Sequence, residues 1–397
     1  MIETVAPTTR IALLEDGRLM EIHYDDPERL LGNIYKGIVR DILPGIGAAF
    51  VDVGKEQKLF LSSKELSDSL VRQGRKGRSP QIQKLLKSGQ QIVLQVKREG
   101  IGTKNPQGTM KISLPGRYWV FLPTDERLGV SRRITDERES RRLKRIAKKL
   151  KREGEGLIAR TAAFGASEED LERDFNYLLG TWKGVEEQAQ RVKAPALLYR
   201  GVDLVRAFLR DRLLGDVQRV VVDSEKTYQE IKDFLSYMHM EEFLDRVELY
   251  RGKRPLFEAR GVEKQLRESL QPRVRLPGGG SLVIAETEAL TAIDVNTGGD
   301  VKYPDPEQAI LNTNLEAAVE IPRQLRLRKL SGIIIADFVD MKRRDHVEKV
   351  IRTLQEELKK DRVPTDFVDI TKLGLVEMTR KREGESLMGM LEEDDEP

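Results

Sequence analysis

The chain has 397 residues, with 69 Lys and Arg against 66 Asp and Glu, so its formal net charge is only +3 and a polyanion must be met by local basic patches. The absence of cysteine excludes disulfides, thiolate zinc centres and cysteine nucleophiles, and the isolated His23, His239 and His346 argue against a histidine-rich metal site. No apolar run nears the roughly 20 residues that a membrane helix needs, and Met1-Ile2-Glu3-Thr4 does not begin a signal peptide, so the sequence predicts a cytoplasmic protein with no membrane partner.

In chain order, residues 10 to 62 read as short strands. One turns at Asp16-Gly17, and another runs from Asn33 to Val39 and passes through Pro44-Gly45-Ile46-Gly47 into Ala48-Ala49-Phe50-Val51-Asp52. Residues 71 to 90 carry six basic residues and no acidic one, which predicts a mobile loop. The strand pattern returns in Gln91-Ile92-Val93-Leu94-Gln95-Val96, and a small antiparallel barrel over about 33 to 113 fits the whole. Beyond Pro115-Gly116 a helix carries a dense basic run: Arg141, Arg142, Lys144, Arg145, Lys148, Lys149, Lys151 and Arg152. Such a run reads equally as a solvated helix face and as a surface that meets phosphates. Helical spacing recurs over 166 to 191 and 201 to 214, and Arg219-Val220-Val221-Val222-Asp223 reads as a buried strand.

The last third alternates strands and helices. Strands over 281 to 285 and 289 to 294 form a hairpin, 306 to 330 is helical, 332 to 338 is a buried strand, and 345 to 360 is a helix. Glu392-Glu393-Asp394-Asp395-Glu396 ends the chain as an acidic tail.

The strongest chemical signal lies in Ala292-Ile293-Asp294-Val295-Asn296, followed by Gly298-Gly299. Side chains alternate along a strand, so Asp294 and Asn296 share one face, roughly 7 Å apart. A second apolar strand, Gly332-Ile333-Ile334-Ile335-Ala336, ends in Asp337. If the two strands are neighbours, both carboxylates meet at one sheet edge and offer the few hard oxygens that suit Mg²⁺, with glycines that permit close approach of a substrate. Asp340 has the opposite parity from Asp337 and is assigned to structure or to support of the metal ligands. Strand-terminal aspartates also cap turns, and either one alone is better explained in that way.

These segments, together with Asn33-Ile34-Tyr35-Lys36-Gly37, Ser131-Arg132-Arg133-Ile134, Ala159-Arg160-Thr161-Ala162, Asn312-Thr313-Asn314-Leu315-Glu316, Arg323-Gln324-Leu325-Arg326-Leu327-Arg328 and Asp337-Phe338-Val339-Asp340-Met341, resemble the ribonuclease E/G family of bacterial endoribonucleases over nearly the whole chain. The resemblance implies an α/β multidomain protein. An RNase H-like domain (1–32 and 206–270) is interrupted by an S1 RNA-binding barrel of OB-fold type (33–113). A 5′-sensor region (114–205), a DNase I-like α/β catalytic domain (271–390) and the acidic tail (391–397) complete it.

By the same resemblance Asp294 and Asp337 hold Mg²⁺, with Mn²⁺ as the alternative, and Asn296 stands beside them in catalysis. Phe50 and Phe60 are the exposed aromatics on which single-stranded RNA stacks, and Lys104 contacts its backbone. Gly116, Val120, Arg160 and Thr161 form the pocket for a 5′-monophosphate. The implied activity is hydrolysis of single-stranded RNA, rRNA precursors and mRNA included, to 5′-phosphate and 3′-hydroxyl ends.

Two departures stand out. Relatives continue into a paired-cysteine zinc link and a small dimerisation domain, so no zinc is expected here, and a homodimer would use the catalytic domain. An arginine is also expected two positions after Arg362, where Pro364 stands, which leaves the strength of 5′-end recognition open. The alternatives are a non-catalytic RNA-binding protein with an S1 barrel and, less favoured by the barrel and the basic face, a metal phosphohydrolase acting on small molecules.

Overall fold

A computed structural model of the chain describes residues 1–5, 8–25, 30–56, 58–73, 81–100, 105–201, 203–213, 216–238, 240–298, 305–382 and 386–389. Two compact units form: Met1–Tyr24 with Val221–Ser224 and Leu249–Pro397, and Asp25–Val220 with Glu225–Glu248. Among the described residues no helix is long and apolar enough to cross a membrane.

In the first unit, a six-stranded mixed sheet runs Arg273–Arg275, Ser281–Glu286, Leu290–Asn296, Gly332–Asp337, Val376–Arg380, Thr365–Ile370. The alternation read from the sequence is realised on Leu290–Asn296: Thr291, Ile293 and Val295 are buried, whereas Ala292 and Asp294 are exposed. The buried face meets helices Pro306–Leu327 and Arg344–Leu358, where Leu311, Ile321, Leu325, Val350 and Leu354 close a core over Ile284, Ile293, Ile334 and Met378. On Gly332–Asp337, Ile333 and Asp337 face the open side together with Ala292 and Asp294.

The helix Pro306–Leu327 starts on Asp305, whose side chain accepts from the Glu307 N–H, and places proline in its first turn, where a missing N–H costs nothing. Its far end, where Leu325 and Leu327 are fully buried, is also fixed by ion pairs. Arg326 donates to Glu21 and Glu15, each at 2.9 Å, and Arg323 donates to Glu320 at 2.6 Å and to the Leu19 carbonyl at 2.6 Å. Buried guanidiniums need such partners, because an unpaired charge in a core costs several kcal/mol. The arginine-rich run 323–328 is therefore structural. It ties the helix to a small N-terminal sheet of Ile2–Val5, Thr8–Glu15 and Arg18–Asp25, in which Ile2 also pairs parallel with Val222.

In the second unit, Ile34–Leu43, Ala48–Asp52, Leu59–Ser62, Gln107–Thr109 and Gln91–Arg98 form a closed five-stranded barrel, because Ile34–Leu43 pairs with Gln91–Arg98 as well as with Ala48–Asp52. Its interior holds Val39, Ala49, Val51, Leu59, Leu61 and Leu94. The mobile loop expected over 71–90 is partly helical, with turns at Asp68–Gln73 and Ile82–Leu85, and residues 74–80 lie outside the described residues. The physical reason is that Ile82 and Leu86 are buried in the barrel core, an anchor that the charge run obscured.

The same unit carries a four-stranded sheet, Leu128–Val130, Gly156–Ala159, Trp119–Leu122 and Leu114–Pro115, packed against helices Glu137–Leu150 and Glu168–Arg191. The Trp119 indole is wholly buried and donates to the Leu171 carbonyl at 2.8 Å, and Phe121 meets Phe175 edge-on at 5.5 Å.

Candidate functional site

Strands Leu290–Asn296 and Gly332–Asp337 lie parallel and in register, so Asp294 is the direct neighbour of Asp337. The parity reading thus meets its condition: both carboxylates stand on the open face, toward the C-terminal ends of two central strands. Asn296 donates its Nδ2 to Oδ2 of Asp294 at 2.6 Å, which orients that carboxylate. Two contacts position this pair that the sequence did not reveal. The wholly buried Asn314 donates to the Val339 carbonyl at 2.8 Å and accepts from the Val339 N–H at 3.1 Å, clamping the chain just after Asp337. On the other side, a Cβ on Gly298 would sit 2.1 Å from the Gly279 carbonyl oxygen. This glycine is required by a close approach of backbone to backbone. Gly299 lies outside the described residues.

The donor set fits a hard divalent ion. Among the described residues no group of three or more His, Asp or Glu could hold a metal. A carboxylate pair with an adjacent amide leaves most positions to water and to a ligand phosphate, the manner in which Mg²⁺ is commonly bound.

On the barrel, Phe50 and Phe60 are register partners on adjacent strands. Their rings stand 5.9 Å apart at 67°, and both are half-buried, while Ala49 and Val51 on either side of Phe50 and Leu59 and Leu61 on either side of Phe60 are buried. Lys104 lies outside the described residues.

The four residues expected to form an end pocket also come together. Val120 pairs with Pro115 and Ile158, and the Arg160 N–H donates to the Tyr118 carbonyl. Arg160 donates Nη1 to the Gly116 carbonyl at 2.7 Å and Nη2 to Asp211 at 2.6 Å. Thr161 and Ser131 share a hydroxyl hydrogen bond of 2.9 Å. Burial pushes the Asp211 carboxyl up, but the hydrogen bonds and charge of Arg210, then those of Arg160, outweigh this and hold it below its ordinary value. Two guanidiniums, Arg160 and Arg210, thus bracket the Asp211 carboxylate, and the Asp174 carboxylate also lies within electrostatic range of Arg160.

Gly116 is explained by a residue far along the chain. Asp174 accepts from the backbone N–H groups of Arg117, Tyr118 and Trp119 at 3.0, 2.9 and 2.9 Å, and a Cβ on Gly116 would meet its carboxylate at 2.5 Å. Burial pushes the Asp174 carboxyl above its ordinary value against the pull of these three donors. Asp174, Asp211, Arg210 and Asn314 are positioning residues that no local motif announces; only the long-range packing shows them.

By its fold the protein is a mixed α/β chain with a closed five-stranded barrel, carrying a carboxylate pair on the open face of a central strand pair. The sequence model of the Ribonuclease E/G family matches residues 113–383. Ribonuclease G of Haemophilus influenzae is 41% identical over 400 residues, spanning 98% of this chain and 81% of the relative. Ribonuclease G of Escherichia coli (strain K12) is 40% identical with the same coverage, and ribonuclease E of Nostoc sp. is 38% identical, with 95% of this chain and 55% of the relative aligned. The chain belongs to the ribonuclease E/G family.

Proposed function

We propose that the protein is an endoribonuclease that hydrolyses single-stranded RNA with Mg²⁺, leaves 5′-phosphate and 3′-hydroxyl ends, and acts in the cytoplasm on rRNA precursors and mRNA. An enzyme of the ribonuclease E/G type is what the family and its named members support. The domain scheme that goes with this reading is an S1-type barrel set into an RNase H-like domain, a 5′-sensor and a DNase I-like catalytic domain. One observation carries the chemistry: Asp294 and Asp337 are register neighbours on the open face of two central strands, with Asn296 hydrogen-bonded to the first.

Asp294 and Asp337 would hold Mg²⁺, which when bound would supply an acidified water and positive charge against the phosphodiester. The residues supply the rest. Asp294 and Asp337 provide the charged oxygens, Asn296 keeps Asp294 oriented, and the Asn314 clamp holds the Asp337 end at its place. The half-buried rings of Phe50 and Phe60 suit bases that are unstacked, as they are only in single strands. No histidine is needed for proton transfer in this scheme.

The direct test is incubation of a single-stranded RNA oligomer with and without Mg²⁺, followed by analysis of the ends formed. RNA bound but left intact in Mg²⁺ would instead leave an RNA-binding protein. For the end pocket, Arg160→Ala or Thr161→Val should bring the cleavage rates of 5′-monophosphate and 5′-hydroxyl oligomers together without slowing the latter. A wild-type protein that already treats the two alike would show the pocket to be idle.

A further inference from the structure

Helix Glu137–Leu150 carries a charge pattern that neither the carboxylate pair nor the barrel uses. Its inner side is settled: Leu143, Ile146 and Ala147 are buried, and the Asp136 side chain caps the N-terminus by accepting from the N–H groups of Arg138 and Glu139. Two of its cations are engaged, Arg142 with Glu139 at 2.7 Å and Lys149 with Glu168 at 2.7 Å. Arg138, Arg141, Arg145 and Lys148 are different. They recur at steps of three and four, so they form one stripe opposite the buried side, and all four are exposed.

No ion pair to a carboxylate forms at any of these four among the described residues, although Glu168 lies within electrostatic range of Arg145; Arg141 gives its Nε to the Glu137 carbonyl at 3.2 Å. Like charges at this spacing repel by a few tenths of a kcal/mol per pair, so the stripe costs the helix stability in the absence of a counter-charge. It runs about 15 Å along the axis. The helix contains no aromatic residue, so it offers cations in a row and nothing on which a base could stack.

We propose that this stripe docks the phosphate backbone of double-helical RNA. The inference rests on the reading of the chain as an RNA enzyme and extends it to the paired part of a substrate. Single strands are held largely by stacking on aromatics, which the barrel offers through Phe50 and Phe60. A duplex hides its bases and presents phosphates and 2′-hydroxyls, which a row of cations alone can engage. The two surfaces therefore divide the substrate by chemistry, one taking unpaired bases and the other a helical backbone.

The test uses the full chain and its Arg138→Gln/Arg145→Gln/Lys148→Gln variant, whose changed side chains are exposed and helix-compatible. The probes are a blunt duplex RNA and a short single-stranded oligomer, with binding measured over a range of salt. Losing three phosphate contacts should weaken duplex binding on the order of 100-fold at 0.15 M salt and flatten the salt slope by about one per residue. Affinity for the single strand should change less than about twofold, since stacking carries it.

Unchanged duplex affinity and slope would overturn the proposal and leave a solvated helix face. Polyglutamate displacing the duplex at equal charge, with the same loss in the variant, would also overturn it by assigning the stripe to an acidic protein. Because binding is read rather than cutting, a wild-type protein that fails to cleave RNA would defeat the endonuclease reading without touching this one.

Discussion

If Asp294 and Asp337 hold the metal as proposed, Asp294→Asn and Asp337→Asn should each slow RNA cleavage at least about a thousandfold, because a metal-based stabilisation of several kcal/mol would lose one of its two charged ligands. Asparagine keeps the shape and removes the charge, so the sheet has no reason to change. Both side chains lie on the exposed face, and the core beneath them is made by Ile293, Val295, Ile334 and Ala336. Melting temperature and metal-free RNA affinity should therefore stay close to wild type. Single-turnover cleavage of an oligomer across a Mg²⁺ titration separates loss of metal affinity from loss of chemistry. A rate near wild type for Asp294→Asn at ordinary Mg²⁺ would remove this carboxylate from the mechanism.

This pair was the most legible feature of the sequence, for a local reason. Alternation along a strand fixes which residues share a face, so Asp294 and Asn296 could be placed together, and an apolar run ending in Asp337 offered a matching strand. Only the adjacency of the two strands had to come from the fold, and the parallel register supplies it.

What stayed hidden depends on contacts between distant positions. Nothing near Gly116 announces that its missing side chain makes room for Asp174, and nothing near Asn314 shows that its amide grips the backbone at Val339. Gly298 was visible as a glycine but not for its reason, which lies in the turn at Gly279. The basic run over 141–152 was likewise ambiguous by composition. Only the burial of Leu143, Ile146 and Ala147, and the pairing of Arg142 and Lys149, divide it into engaged cations and an open stripe.

Phe50→Ala and Phe60→Ala should each weaken single-strand binding by about 1–3 kcal/mol, or about 5- to 150-fold, if one base stacks on each ring. A phenylalanine in a strand is ordinarily core, and the barrel shows why these two are not. Ala49 and Val51 flank Phe50 on its strand and are fully buried, as are Leu59 and Leu61 beside Phe60, so the two rings are turned to the outer face. They meet edge to face at 5.9 Å, an arrangement that favours the paired orientation. Because the rings touch, the double variant should lose less affinity than the two single losses combined. Stability should fall by less than the about 3–5 kcal/mol typical of a fully buried Phe→Ala change. Thermal melts and fluorescence anisotropy on the same preparations read the two quantities side by side. A sharp drop in melting temperature with unchanged RNA affinity would make these rings part of the barrel's fold rather than its RNA surface.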